Sequence, residues 1–201
     1  MASQRSLLDS TVFAELQCTA SSSHSCYSDQ NLLFDILILA HFIGPRVSEY
    51  AHTTQDKVDY HVYPSGTRVI KAFTANDFVF YDKNGHVLKK NDDSSLILAV
   101  SIQITWRIQK NCQNSQKIKL SAHTKNPVIC FVQGALQMVM RAPGLAQLDN
   151  MPVACYRTKK APLLFITGSR IATLLCKAVK KVRPSTSADN LKKYSPHSLL
   201  V

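Results

Sequence analysis

The stretch from Asp29 to Ile43 constrains this chain more than any other. It carries Leu32, Leu33, Ile36, Leu37, Leu39 and Ala40, so apolar side chains face nearly every direction of a helix, and Gly44-Pro45 stops it abruptly. A helix that is apolar all round is buried, either inside a bundle or in a membrane. Its longest unbroken apolar run, Ile36 to Ala40, is far too short to cross a bilayer, which leaves the bundle. Asp29 is placed to cap its first turn, and Gly44 to close its last. The rest of the fold must supply a coat for this helix.

Residues 1–28 are Ser-rich (Ser21, Ser22, Ser23), hold one weak helical patch from Leu7 to Leu16, and read as a poorly ordered extension. Downstream of the buried helix comes a short helical turn near Val47 to Ala51, and then the period changes. Thr67 to Ala72, Phe78 to Tyr81, Leu96 to Ile108 and Lys117 to Ser121 are rich in Val, Ile, Phe, Tyr and Thr. Turn formers separate them: Pro64-Ser65-Gly66, Asp82 to Gly85, and Asn111 to Ser115. This pattern predicts a small antiparallel sheet with a hairpin closing around Asn111 to Gln116. Helix returns at Val128 to Arg141, ended by Pro143-Gly144, and at Thr167 to Val182, with Thr167 as N-cap and Lys177, Lys180 and Lys181 toward the C-terminal end. The expectation is an α+β, mainly helical domain over residues 29–201, without internal repeats.

Charge is distributed unevenly along the chain. The net +11 divides into 8 Lys/Arg against 11 Asp/Glu over residues 1–100, a balance of −3, and 16 against 2 over residues 101–201, a balance of +14. A basic half of this kind suits a polyanion, because phosphate backbones are bound through Lys and Arg with release of counterions. The six cysteines (Cys18, Cys26, Cys112, Cys130, Cys155, Cys176) form no C-x-x-C pair and have no histidine spaced to complete a zinc site. They read as reduced thiols of an intracellular protein. No secretory signal opens the chain and no cofactor motif occurs, so neither membrane anchorage nor a small-molecule cofactor is expected.

Three segments bear on chemistry. In Ile43-Gly44-Pro45-Arg46-Val47-Ser48-Glu49-Tyr50 a glycine ends one helix and another opens at once, which fixes Arg46 at the junction with the Glu49 carboxylate near enough to orient it. A guanidinium held in this way suits a phosphate oxygen. In Trp106 to Leu120 two strands carry lysines on both sides of a polar turn, able to project an ammonium into a groove. In Lys192 to Val201 a Pro-His step places His197 at the start of a new helix, where an imidazole can donate to an anion.

The order and spacing of these segments resemble the tyrosine recombinases and phage integrases, with the eukaryotic mobile-element members nearest in flavour. The family's first catalytic block reads roughly Gly-x-Arg-x-Ser-Glu after an apolar helix, and Gly44 to Glu49 matches it. Its catalytic lysine lies on a β-hairpin, which points to Lys110, with Lys117 as second choice. Its later block reads His-x-x-Arg, and His197 to Leu200 matches at the histidine alone. Phe73 to Phe78 resembles the strand after the first block, and Thr167 to Ile171 the helix before the second.

The resemblance implies double-stranded DNA as partner, a possible homo-oligomer on it, and a nuclear location if the source is eukaryotic. It implies covalent phosphoryl transfer through a tyrosine, with Arg46 clamping the phosphate, Glu49 supporting it, Lys110 as general acid and His197 beside the reacting centre. No metal or nucleotide takes part in that chemistry. Leu200 stands where the second arginine is expected, and none of the seven tyrosines falls at the nucleophile's place; Tyr194, three residues before His197, reads as a packing residue. The chain is therefore expected to be a catalytic domain lacking its C-terminal helices, able to bind DNA and unable to cut it. The alternative is a basic α+β protein associated with RNA or the ribosome, without catalysis.

Overall fold

The structure, a computed structural model, describes residues 10–23, 25–108, 115–122 and 130–195. The described chain is α+β, with helices and small antiparallel sheets. Its elements are α1 (Ser10–Ser21), α2 (Asp29–Ile43), α3 (Val47–Tyr50), β1 (Tyr60–Val62), β2 (Arg68–Ile70), β3 (Phe78–Tyr81), α4 (Asp93–Leu96), β4 (Ser101–Thr105), β5 (Lys117–Ser121), α5 (Phe131–Gly144), β6 (Cys155–Tyr156), β7 (Leu164–Phe165), α6 (Gly168–Val182) and α7 (Ala188–Leu191).

The apolar helix is the axis of the fold, as its composition requires. Leu32, Leu33, Ile36, Leu37, Ile38, Leu39 and Ala40 of α2 are all buried, against α1, α5, α6 and β6. Full burial of each such Leu or Ile contributes about 1.5–3 kcal/mol, so this one helix organises much of the core. Its start differs in detail from expectation. Ser28 is the N-cap and accepts from Asn31 N, while Asp29, one position further on, pairs with Arg170 at the start of α6. The C-cap is Gly44 in the left-handed region (φ 55°), its N–H bonded to Ala40 O.

Residues 10–21 depart from expectation more strongly. They form α1, with Val12, Leu16 and Ala20 buried against α2 and α6, and Glu15 receives Lys181 Nζ of α6 at 2.6 Å. A poorly ordered extension over 1–28 does not hold for this segment. The three buried positions recur every four residues, a stripe one side chain wide, which a Ser- and Thr-rich context hides from a periodicity reading.

Among the described residues, three small sheets stand where one was expected. The largest has the order β3-β4-β5, antiparallel throughout, with Phe78 opposite Ile104 and Thr105 opposite Lys117. Phe78, Phe80, Ile102 and Ile104 turn inward to the core. Leu96 belongs to the single turn α4 and not to the strand, whose start moves to Ser101. β1-β2 is a separate two-stranded ribbon, and β6-β7 a two-residue pairing beside α2. α6 begins after Thr167, whose hydroxyl accepts from Arg170 N as expected of an N-cap. α5 starts at Phe131 and continues through Pro143 to Gly144.

Among the described residues the cysteines are free, with Cys130 and Cys155 buried and Cys18 and Cys26 exposed. No described helix is long and apolar enough to cross a membrane.

Candidate nucleic-acid interface

The junction between α2 and α3 is built from the backbone outward. Gly44 turns the chain, Pro45 is buried, and Arg46 follows in an extended conformation (φ −68°, ψ 153°) as the residue before α3. Glu49 fixes that conformation: its Oε2 accepts from Arg46 N at 2.5 Å, one half of a capping box. Glu49 therefore supports the backbone of Arg46, whereas the spacing alone suggests a carboxylate that orients the guanidinium. The Arg46 side chain is exposed and enters no ion pair among the described residues. What results is a cation on a rigid base with its head in solvent.

Glu49 itself is buried, and desolvation pushes its carboxyl up to about 7, against the opposing hydrogen bond from Arg46 N and the Arg46 charge. Its backbone carries the junction onward, because Glu49 O accepts from Phe73 N at 2.7 Å. The next residue, Thr74, opens a second capped turn: Thr74 N donates to Asp77 Oδ2 at 2.7 Å, and Asp77 ends the 3-10 turn Ala75–Asp77 that leads into β3. Phe73 to Phe78, expected as a strand after the first block, is thus a turn and then a strand.

Arg107 closes this network. Its Nε donates to Asp77 Oδ1 at 2.6 Å and its Nη2 to Thr74 Oγ1, while the neighbouring Trp106 ring packs on Phe73 at 5.3 Å between centroids. Arg107 follows the end of β4, where Trp106 N bonds to Gln116 O across the hairpin. The fold therefore joins the Arg46 junction to the root of the β4-β5 hairpin through Glu49, Phe73, Thr74, Asp77 and Arg107. Sequence reasoning misses Arg107 and Asp77 as members of a site, although Thr74-x-x-Asp77 is a capping-box signal. Burial raises the Asp77 carboxyl, while hydrogen bonds from Thr74 and the Arg107 guanidinium oppose the shift.

Lys110 and His197 lie outside the described residues. Lys117, the second choice on the hairpin, is exposed at the start of β5, opposite Thr105. Toward the C-terminal end, α7 is held on α6: Cys176 Sγ lies 3.4 Å from Leu191 O, and Tyr194 is buried with its hydroxyl 3.3 Å from Arg183 Nη1. A packing role for Tyr194 agrees with that placement.

The arrangement presents a fixed surface arginine and an exposed lysine-bearing strand, joined by a buried polar network. Exposed cations of this kind can hold phosphate oxygens by charge-assisted hydrogen bonds. No family model, curated protein or solved structure matches the chain.

Proposed function

We propose that the chain is a DNA-binding relative of the tyrosine-recombinase catalytic domain that does not cut its substrate. One observation carries the reading: Arg46, the arginine of the Gly-x-Arg-x-Ser-Glu pattern, is exposed on a backbone locked by Gly44 and Glu49, and the same framework reaches Trp106 and Arg107 at the end of β4. Fixed cations are what phosphoryl transfer asks of a protein, so the framework fits a family whose chemistry relies on arginine clamps. The basic residues 101–201 supply the non-specific attraction to the duplex.

Cutting is another matter. His197-x-x-Leu200 lacks the second arginine, and loss of one transition-state donor lowers rate by about a hundredfold or more. A nicked suicide duplex, which traps any covalent intermediate, is expected to bind the protein and yield no adduct at any tyrosine. Arg46→Glu is expected to weaken binding of the same duplex about tenfold, since a cation that neutralises a phosphate is replaced by an anion that repels it. A covalent adduct would overturn the inactivity, and full affinity in Arg46→Glu would overturn the assigned surface.

A further inference from the structure

The β1-β2 ribbon stands apart from the core and is unexplained by packing alone. A two-stranded sheet is marginal by itself, and neither strand has a third strand beside it among the described residues. Opposed residues share a face, so the register Tyr60↔Ile70 and Val62↔Arg68 puts Tyr60, Val62 and Arg68 on one side. Val62 is 58% exposed and Tyr60 36%, and the Arg68 guanidinium lies over the Tyr60 ring at 4.5 Å. His61, Tyr63 and Val69 are half-buried on the other side. One face of the ribbon thus offers solvent an apolar strip and a guanidinium held in place by an aromatic ring.

Two further observations say what meets this face. The ribbon and its flanks are mildly basic within an acidic half: residues 56–71 hold Lys57, Arg68 and Lys71, three of the eight cations before residue 101, against Asp56 and Asp59 of the eleven acids. Asp59 is engaged, its Oδ2 accepting from Thr53 N and Thr53 Oγ1, both at 2.7 Å. The ribbon is also rooted at the Arg46 junction. Asp59 N donates to His52 Nδ1, Lys71 N bonds to Asp59 O, and two residues further on Phe73 N bonds to Glu49 O. Its base is thus tied to α3, a single turn whose N-cap is Arg46.

We infer that the β1-β2 ribbon is a DNA-contacting arm that lengthens the Arg46 surface, with Arg68 on a phosphate and the Tyr60–Val62 strip against the groove. This rests on the DNA-binding reading of the Arg46 surface. A two-stranded ribbon fits the major groove, which is about 12 Å wide, lined by phosphates at its rims and by apolar thymine methyls on its floor. That combination matches a face at once cationic and apolar. A protein strand adding to the ribbon's edge would not account for Arg68 held over the Tyr60 ring.

The test uses the full chain and a short duplex, with affinity measured across a salt series. Arg68→Ala is expected to flatten the slope of log affinity against log salt by about one, for the phosphate left unneutralised. Val62→Asp, at an exposed position, should weaken binding several-fold without changing the melting temperature. Lys83→Ala, in the Asp82–Gly85 turn that follows β3, should leave both measurements unchanged. A hydroxyl-radical footprint should shorten in Arg68→Ala. If the unaltered chain binds duplex and the ribbon variants match it in slope and footprint, the arm is refuted while the DNA reading stands. Absence of duplex binding by the unaltered chain would end both. A dimer that Val62→Asp converts to monomers with no change in DNA affinity would show a self-association surface and overturn the arm.

Discussion

Glu49 is charged in the unfolded chain and buried in the folded one, and this sets how the Arg46 junction responds to pH. Its carboxyl rises from 4.5 to about 7 on burial. The folded state therefore binds the proton more tightly, so its contribution to stability is greatest below about pH 4.5 and is lost as pH rises through about 7. Glu49→Gln keeps an oxygen to accept from Arg46 N and cannot ionise. Its stability relative to the parent is expected to climb across that window, reaching a gain of about 1–3 kcal/mol at pH 8 in urea melts. Buried His52, whose pKa is lowered chiefly by desolvation, opposes this trend below about pH 6.5 but is common to both proteins and cancels in the difference. A gap that does not vary with pH would contradict the burial of a charged carboxylate. At this scale the sequence shows which residues matter and not how they act. Gly44, Arg46 and Glu49 are legible from type and spacing, but spacing cannot say whether a carboxylate meets a guanidinium or a backbone N–H.

Between elements, the packing of α2 on α5 decides how closely the helices approach. Gly134 of α5 faces α2 so tightly that an added Cβ would lie 3.0 Å from Ile38 Cγ2 and 3.1 Å from Ile38 Cβ. Glycine in a helix interior is ordinarily about 1 kcal/mol worse than alanine. Here the sign is expected to reverse, with Gly134→Ala destabilising by about 1–2 kcal/mol, because a β-branched neighbour beside its own backbone has little room to give. The same helices share a buried ion pair, Arg141 to Asp35, in which Arg141 Nε also donates to Cys26 O. Desolvation lifts Asp35 to about 6 against the attraction of Arg141. Arg141→Met leaves the carboxylate buried alone and is expected to cost about 3–5 kcal/mol in a chemical melt. Of the elements, α2, α3, β3, β5 and α6 can be read because each has a strong period or a clear terminator. β6 and β7 are two residues long, too short to have a period, and are held by contacts from outside themselves, β6 against α2 and β7 through Phe165 N to Gln55 O. α1 escapes a sequence reading for a related reason, since its buried stripe comes from three residues that only α2 and α6 make meaningful.

At the scale of the whole molecule, charge is the property that most sharply separates the two halves of the sequence, and folding joins them. Lys181 of the basic half meets Glu15, Arg170 meets Asp29, Arg141 meets Asp35 and Arg107 meets Asp77. These four pairs consume acids of the first half and leave Lys117, Lys177, Lys180 and the Lys159-Lys160 loop exposed. Such pairing is not visible in the sequence, because ion pairs between distant segments depend on the packing of helices and not on local pattern. A basic half is legible from composition alone, and the proposed duplex DNA partner is what most needs a measurement. A titration of a short duplex from about 50 to about 200 mM salt gives the number of phosphates engaged, at about 0.9 unit of slope for each. The account predicts a slope of about −4 or steeper and weaker binding to an RNA hairpin of equal length; a slope shallower than about −1, or tighter binding to the RNA, would contradict it.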